Sequence, residues 1–110
     1  MPSGNSVVLV GHITRDPEVK SLSGDLKVLE LGLAVNNRVK KAGDWVDEPC
    51  FIDCTIWGRQ AEYVAENSSK GDPVYVQGTL RMNSWEKDGK KVTKHVLSVE
   101  KSQLLKGRQG

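Results

Sequence analysis

Three stretches of this chain place apolar residues at every second position, and that period of two restricts the fold more than any other feature. Between Lys27 and Asn37 the positions are Leu29, Leu31, Leu33 and Val35; in Cys50 to Trp57 they are Cys50, Ile52, Cys54 and Ile56; in Val74 to Trp85 they are Val74, Val76, Leu80 and Met82. Side chains alternate across a strand, so each stretch offers one face to a core and keeps the other free. The free face carries Phe51, Asp53, Thr55 and Trp57 in one run, and Tyr75, Gln77, Thr79, Arg81, Asn83 and Trp85 in the other. Aromatics make up only 5% of the chain, with a single Phe, so rings on a face that no core requires are informative. Flat rings beside a cation suit unpaired bases, because every base has a π-face and every nucleotide a negative phosphate.

The remaining signals arrange these strands. Val7 to Gly11 reads as a first strand, ended by a turn at Arg15-Asp16-Pro17, where Pro17 fixes its own φ and restricts Asp16. Ser23-Gly24-Asp25 is a second turn, and Val39 to Glu48 reads as a polar loop. Gly58 ends the third strand, and Arg59 to Asn67 is the one predicted helix, with Ala61, Val64 and Ala65 along one side. Lys70-Gly71-Asp72-Pro73 stops that helix, Asp88-Gly89 marks a hairpin, and Val92 to Leu105 returns as a fifth strand. Its alternation slips between Val96 and Leu97, which predicts a bulge there. The expected fold is therefore all-β: a five-stranded Greek-key barrel of the OB type, with one short helix between strands 3 and 4. One domain over residues 1–110 is expected, its core about 5–105, with flexible ends at 1–4 and 106–110.

Charge and cysteine content narrow the function. Residues 81–110 hold 8 Lys/Arg against 3 Asp/Glu, whereas residues 1–80 hold 8 against 11, so basic character gathers where it follows Arg81 and Trp85. No apolar stretch approaches the roughly 20 residues that span a bilayer, and a cytoplasmic location is expected. Cys50 and Cys54 would stand about 13 Å apart on a strand, beyond the roughly 7 Å that a disulfide bridges, so both read as small buried apolar residues. His12 and His95 with two buried cysteines make no zinc site, no phosphate-cradling glycine loop with its Lys-Ser/Thr end is present, and Asp53 is a lone carboxylate on the aromatic face. No enzyme, no metal and no cofactor are expected.

Several motifs in order carry a resemblance. Val8-Leu9-Val10-Gly11-His12-Ile13-Thr14-Arg15-Asp16-Pro17-Glu18-Val19, Trp57-Gly58-Arg59-Gln60-Ala61-Glu62, the run from Lys70 to Arg81, and Trp85 closely resemble the bacterial single-stranded DNA-binding protein family, from about Asn5 to Leu105. The resemblance implies that Phe51, Trp57 and Trp85 stack bases, and that Arg59, Lys70 and Arg81 track phosphates. Lys87, Lys90, Lys91 and Lys94 surround the hairpin that would embrace the strand. Tyr75 and Gln77 fall near subunit contacts, as does Ile52, which replaces a residue that is often His. A homotetramer, formed as a dimer of dimers, is implied, as are roles in DNA replication, recombination and repair.

Departures from the family pattern temper this. The family commonly has an aromatic where this chain has Val39, and Trp45 is the nearby ring that could substitute. Asp53 stands where a cation is usual, and Asn83 and Ser84 replace two more; each missing cation lowers the salt slope by about one unit or less. Binding weaker or less salt-sensitive than the family norm is expected. Members usually continue into a linker with an acidic tip that recruits repair and replication proteins; this chain ends at Lys106-Gly107-Arg108-Gln109-Gly110, and tail-mediated partners are not expected of it as written. Two other readings stay open: a primosomal or recombination accessory acting mainly through protein partners, and a carbohydrate-binding module on the same barrel.

Overall fold

Leu29, Leu31 and Leu33 are each no more than 1% exposed, and their spacing by two gives the long strand that anchors the core. A computed structural model describes residues 3–106. Its elements in chain order are β1 (Val7–Ile13), β2 (Val19–Ser21), β3 (Lys27–Lys41), β4 (Asp44–Trp57), α1 (Gly58–Asn67), β5 (Pro73–Lys87) and β6 (Lys90–Leu104). The sheet order is β1-β5-β6-β4-β3-β2, and β1 also pairs with β3 through His12 with Ala34 and Ile13 with Leu33, closing a barrel. This is the expected all-β OB architecture with one amendment. Val19–Ser21 pairs with Lys27–Leu29 as a short strand of its own, so the helix lies between β4 and β5 instead of between strands 3 and 4. Three residues are too few to show an alternation.

The core is built from cross-strand pairs and their neighbours. Leu29 faces Ile56 and Leu31 faces Cys54 across β3 and β4, while Val74, Val76, Leu97 and Val99 close the other side. Burying each such aliphatic side chain contributes about 1.5–3 kcal/mol. Helix α1 adds Ala61 and Val64 to the cluster. Its last carbonyls accept from side chains, Asn67 Nδ2 to Tyr63 O at 2.9 Å and Ser68 Oγ to Val64 O at 2.5 Å, so the helix end is satisfied locally. At Gly78 the strands cross so closely that a Cβ would overlap the Ser98 carbonyl oxygen, and only glycine fits without moving backbone.

Beyond the barrel, β3 with β4 and β5 with β6 run on as two-stranded ribbons. The segment from Val39 to Glu48, expected as a loop, is instead paired strand from Val39 opposite Val46 to Lys41 opposite Asp44. Its tip is a two-residue turn with Ala42 at φ 50° and Gly43 at φ 88°, left-handed at both positions as a type I′ hairpin requires. A ribbon solvated on both faces carries no apolar stripe, so its alternation is invisible in hydropathy. The other ribbon turns at Asp88 and Gly89 (φ 52° and 78°), as the Asp-Gly signal predicts.

These ribbons correct three expectations. Cys50, Leu80 and Met82 lie on the core-side parity of their strands but past the end of the barrel, and all three are exposed. Cys54 alone of the two cysteines is buried; burial, and then the charge of Asp53, push its thiol up to about 12, so it stays protonated. The bulge falls at Glu100, not at Val96: Gln77 pairs with Lys101 while Gly78 pairs with Val99, leaving Glu100 as the extra residue. The flexible ends expected at 1–4 and 106–110 fall largely on residues outside those described. Just inside them, Asn5 accepts from Leu80 N at 2.8 Å and donates to Leu80 O at 2.9 Å, which holds the approach to β1 against β5.

Candidate nucleic-acid interface

The outer face of β4 is the axis of the site. Cross-strand partners point the same way, so pairing of Val28 with Trp57, Glu30 with Thr55, Gly32 with Asp53 and Ala34 with Phe51 places those eight residues on one surface. Phe51 is 71% exposed, and Trp57 and Trp85 are each 44% exposed. Rings of this size on an open sheet face lack any core role. Phe51 and Trp57 stand about 20 Å apart along β4, at roughly 3.3 Å per residue.

A cleft of about 570 Å³ opens beside Trp57. Arg81 and Asn83 of β5 line it with Thr55, Glu30 and Ser98, and Val96 joins them. Val96 is 7% exposed yet lies outside the core cluster, on the opposite side of β6 from Leu97. Two adjacent buried residues therefore serve two surfaces, and this is the cause of the slip in the sequence pattern. Trp85 continues the β5 face beyond Asn83, opposite Val92.

A second cleft, of about 390 Å³, lies beside Phe51 and is lined by Arg15, Asp53, Lys94 and Thr14. Asp53 accepts from Arg15 Nη2 at 3.3 Å and pairs closely with Lys94 Nζ. Partial burial would push its carboxyl up, but the Lys94 hydrogen bond and charge, with those of Arg15, outweigh burial and hold it below its usual 3.8. Its expected role as an unpaired acid is thus corrected: it is ion-paired, and Glu30 joins it as a second carboxylate on this face.

The remaining sequence candidates are distributed unevenly. Lys87 and Lys90 pair on the Trp85 side of the ribbon, while Lys91 pairs with Glu86 on the other side. Arg59, in the first turn of α1, and Lys70, in the turn after it, line neither cleft. Lys70 is held through its backbone N–H, which donates to Asp16 Oδ1 at 2.8 Å. Tyr75 and Gln77 share a face with Val10 and Val8, which are 53% and 55% exposed, so an apolar surface sits on β1 and β5. Ile52 instead packs against the core cluster. Among the described residues no group of three or more His, Cys, Asp or Glu could hold a metal ion, and no helix is long and apolar enough to cross a membrane.

The sequence offers Trp45 as a loop ring that could stand in for the one missing at Val39, and it gives no contact for Arg15. Trp45 pairs with Lys40, which puts it on the Phe51 side of the ribbon, with the Arg38 guanidinium 6.0 Å from its ring centroid. Val39 points the other way. Once the ribbon is recognised, the parity that located Phe51 and Trp57 extends to Trp45. No local signal points Arg15 at Asp53, because the contact depends on the turn after β1.

Comparison with known proteins decides the kinship. The profile of the Single-strand binding protein family matches residues 4–105. The chain belongs to the single-strand binding protein family. Single-stranded DNA-binding protein of Treponema pallidum is 41% identical over 105 residues, covering 96% of this chain and 60% of that one. The Wolinella succinogenes protein of the same name is 38% identical over 103 residues, covering 92% and 64%. A crystal structure of a deletion mutant of the single-stranded DNA binding protein from Thermus aquaticus superposes with a TM-score of 0.82 at 32% identity, over 94% of this chain and 51% of that one. This member of the family thus spans under two thirds of the length of these relatives, and the part it spans is the barrel with its ribbons.

Proposed function

We propose that this chain binds single-stranded DNA, without catalysis and with little regard to sequence, and serves replication, recombination and repair in that capacity. Bases stack on Phe51, Trp57 and Trp85, while Arg59, Lys70, Arg81, Lys87, Lys91 and Lys94 offset the charge of the backbone. The observation that carries this reading is the groove that Trp57 and Arg81 line together with Thr55 and Val96: a ring for a base and a guanidinium for its phosphate, on a face the core does not use. The names of the relatives agree with it.

Titration with an oligothymidylate strand, against a matched duplex, at two salt concentrations tests the proposal. Tryptophan fluorescence is expected to be quenched by the single strand alone, and less so at high salt, because phosphate contacts release counterions. Absence of quenching with the strand at either salt concentration overturns it.

The assembly proposed is a homotetramer. The face that joins Val8 and Val10 to Tyr75 and Gln77 supports association, since half-exposed valines beside half-buried polar residues gain by being covered. Light scattering across a range of protein concentrations is expected to give four times the chain mass of 12.1 kDa, and a stable monomer overturns the tetramer.

A further inference from the structure

Asp53 occupies a seat that the surrounding fold has been shaped to provide. Its cross-strand partner is Gly32, and a Cβ at Gly32 would overlap both the Arg15 guanidinium and Thr14 Oγ1. The missing side chain leaves a notch through which Arg15 crosses β3. Thr14 N donates to Gly32 O at 2.9 Å, fixing the turn, and Arg15 Nη2 donates to Glu30 O at 3.4 Å as well as to Asp53. From the other side Lys94 reaches Asp53 from β6. The side chains of Arg15 and Lys94 are 51% and 48% exposed, whereas that of Asp53 is 20% exposed. Two half-open cations thus converge on one half-sunk anion, beside the exposed ring of Phe51.

A carboxylate and a phosphodiester are alike to these cations: each offers a negative charge and oxygens for N–H donors. We propose that Arg15 and Lys94 form a backbone-phosphate subsite in which Asp53 is the resident anion, so that a DNA phosphate binds by taking over cations the carboxylate holds in the free protein. This rests on the single-stranded DNA reading above and adds to it an internal competitor. While Asp53 is charged, the pair attracts little from solution, and few counterions leave when DNA arrives. Asp53 also positions the cations, so the subsite is ready-made but muted.

The test is the salt dependence of binding for the full chain and its Asp53→Asn variant, read by tryptophan quenching with an oligothymidylate strand. Asparagine keeps the shape and removes the charge. The variant is expected to bind at least about fourfold more tightly at low salt, the effect in water of one charge about 5 Å away. Its plot of log affinity against log salt should steepen by about 0.7 to 1.4, one to two single-strand phosphates newly neutralised. Lys94→Gln completes the cycle: a loss of affinity in the unaltered chain and a larger, severalfold loss in the Asp53→Asn background, where no carboxylate competes for that cation. Thermal unfolding verifies that each variant is folded, and should Asp53→Asn fail to fold, Asp53→Ser takes its place with the same expected slope.

If Asp53 serves only as a structural staple, affinity falls or stays level and the slope is unchanged, and that result overturns the inference while leaving DNA binding in place. If the unaltered chain shows no binding at all, the functional reading falls and this subsite with it.

Discussion

A double variant, Trp57→Ala with Trp85→Ala, is expected to bind an oligothymidylate strand about 2–6 kcal/mol more weakly than the unaltered chain, twice the roughly 1–3 kcal/mol lost per stacked base. That magnitude comes from single-strand binders as a class, this family among them. Summing the two assumes independent sites, which the geometry supports: Trp57 ends β4, whereas Trp85 stands well out on the ribbon of β5 and β6. Neither ring belongs to the core cluster, so the fold should survive their loss. Because Trp45 would be the one remaining tryptophan, affinity is best read by anisotropy of a labelled strand. Each single variant should lose about half of the total. An unchanged affinity with an intact fold would remove both rings from the binding face and shift weight to Phe51 and the ribbon of Trp45.

Leu97→Ala should act on the other property of the same strand. Leu97 is fully buried, packs in the cluster with Cys54 and Val99, and faces inward where its neighbour Val96 faces the groove. Truncating a buried leucine removes transfer free energy and leaves a cavity, together about 2–5 kcal/mol. Urea unfolding at one fixed protein concentration is expected to show a lower midpoint with the same m-value. DNA affinity of the folded variant should change little. A stability loss well under 2 kcal/mol would mean that the barrel collapses around the site more easily than its packing suggests.

The contrast between Val96 and Leu97 shows what the sequence conveyed and what it withheld. Local period located the barrel's long strands, the helix and the aromatic face, but not the three-residue β2 or the solvated ribbon around Ala42 and Gly43. It misread Val96 because two neighbouring apolar residues break the pattern whether the cause is a bulge or a strand buried on both sides; here it is the second. Asp88-Gly89 was legible as a turn, whereas Ala42-Gly43 was not, since alanine seldom takes a left-handed φ. Parity for Cys50, Leu80 and Met82 was read correctly, but parity does not say where a barrel ends. The ion pairs of Asp53 were beyond reach, since Arg15 lies 38 residues away in sequence and arrives only through the notch at Gly32.

The bulge at Glu100 has its own consequence for variation among related chains. On one side of it the inward residues of β6 are Leu97 and Val99; on the other they are Ser102 and Leu104, opposite Val76 and Val74. The extra residue shifts the strand by one step, so odd positions face inward before it and even positions after it. Glu100 has no partner across the ladder, so the pairs on either side of it do not depend on its presence. A chain shortened by one residue there would close the bulge into regular alternation and keep Leu104 turned inward opposite Val74, so alignments of true relatives should show a one-residue gap at this point more readily than at its neighbours.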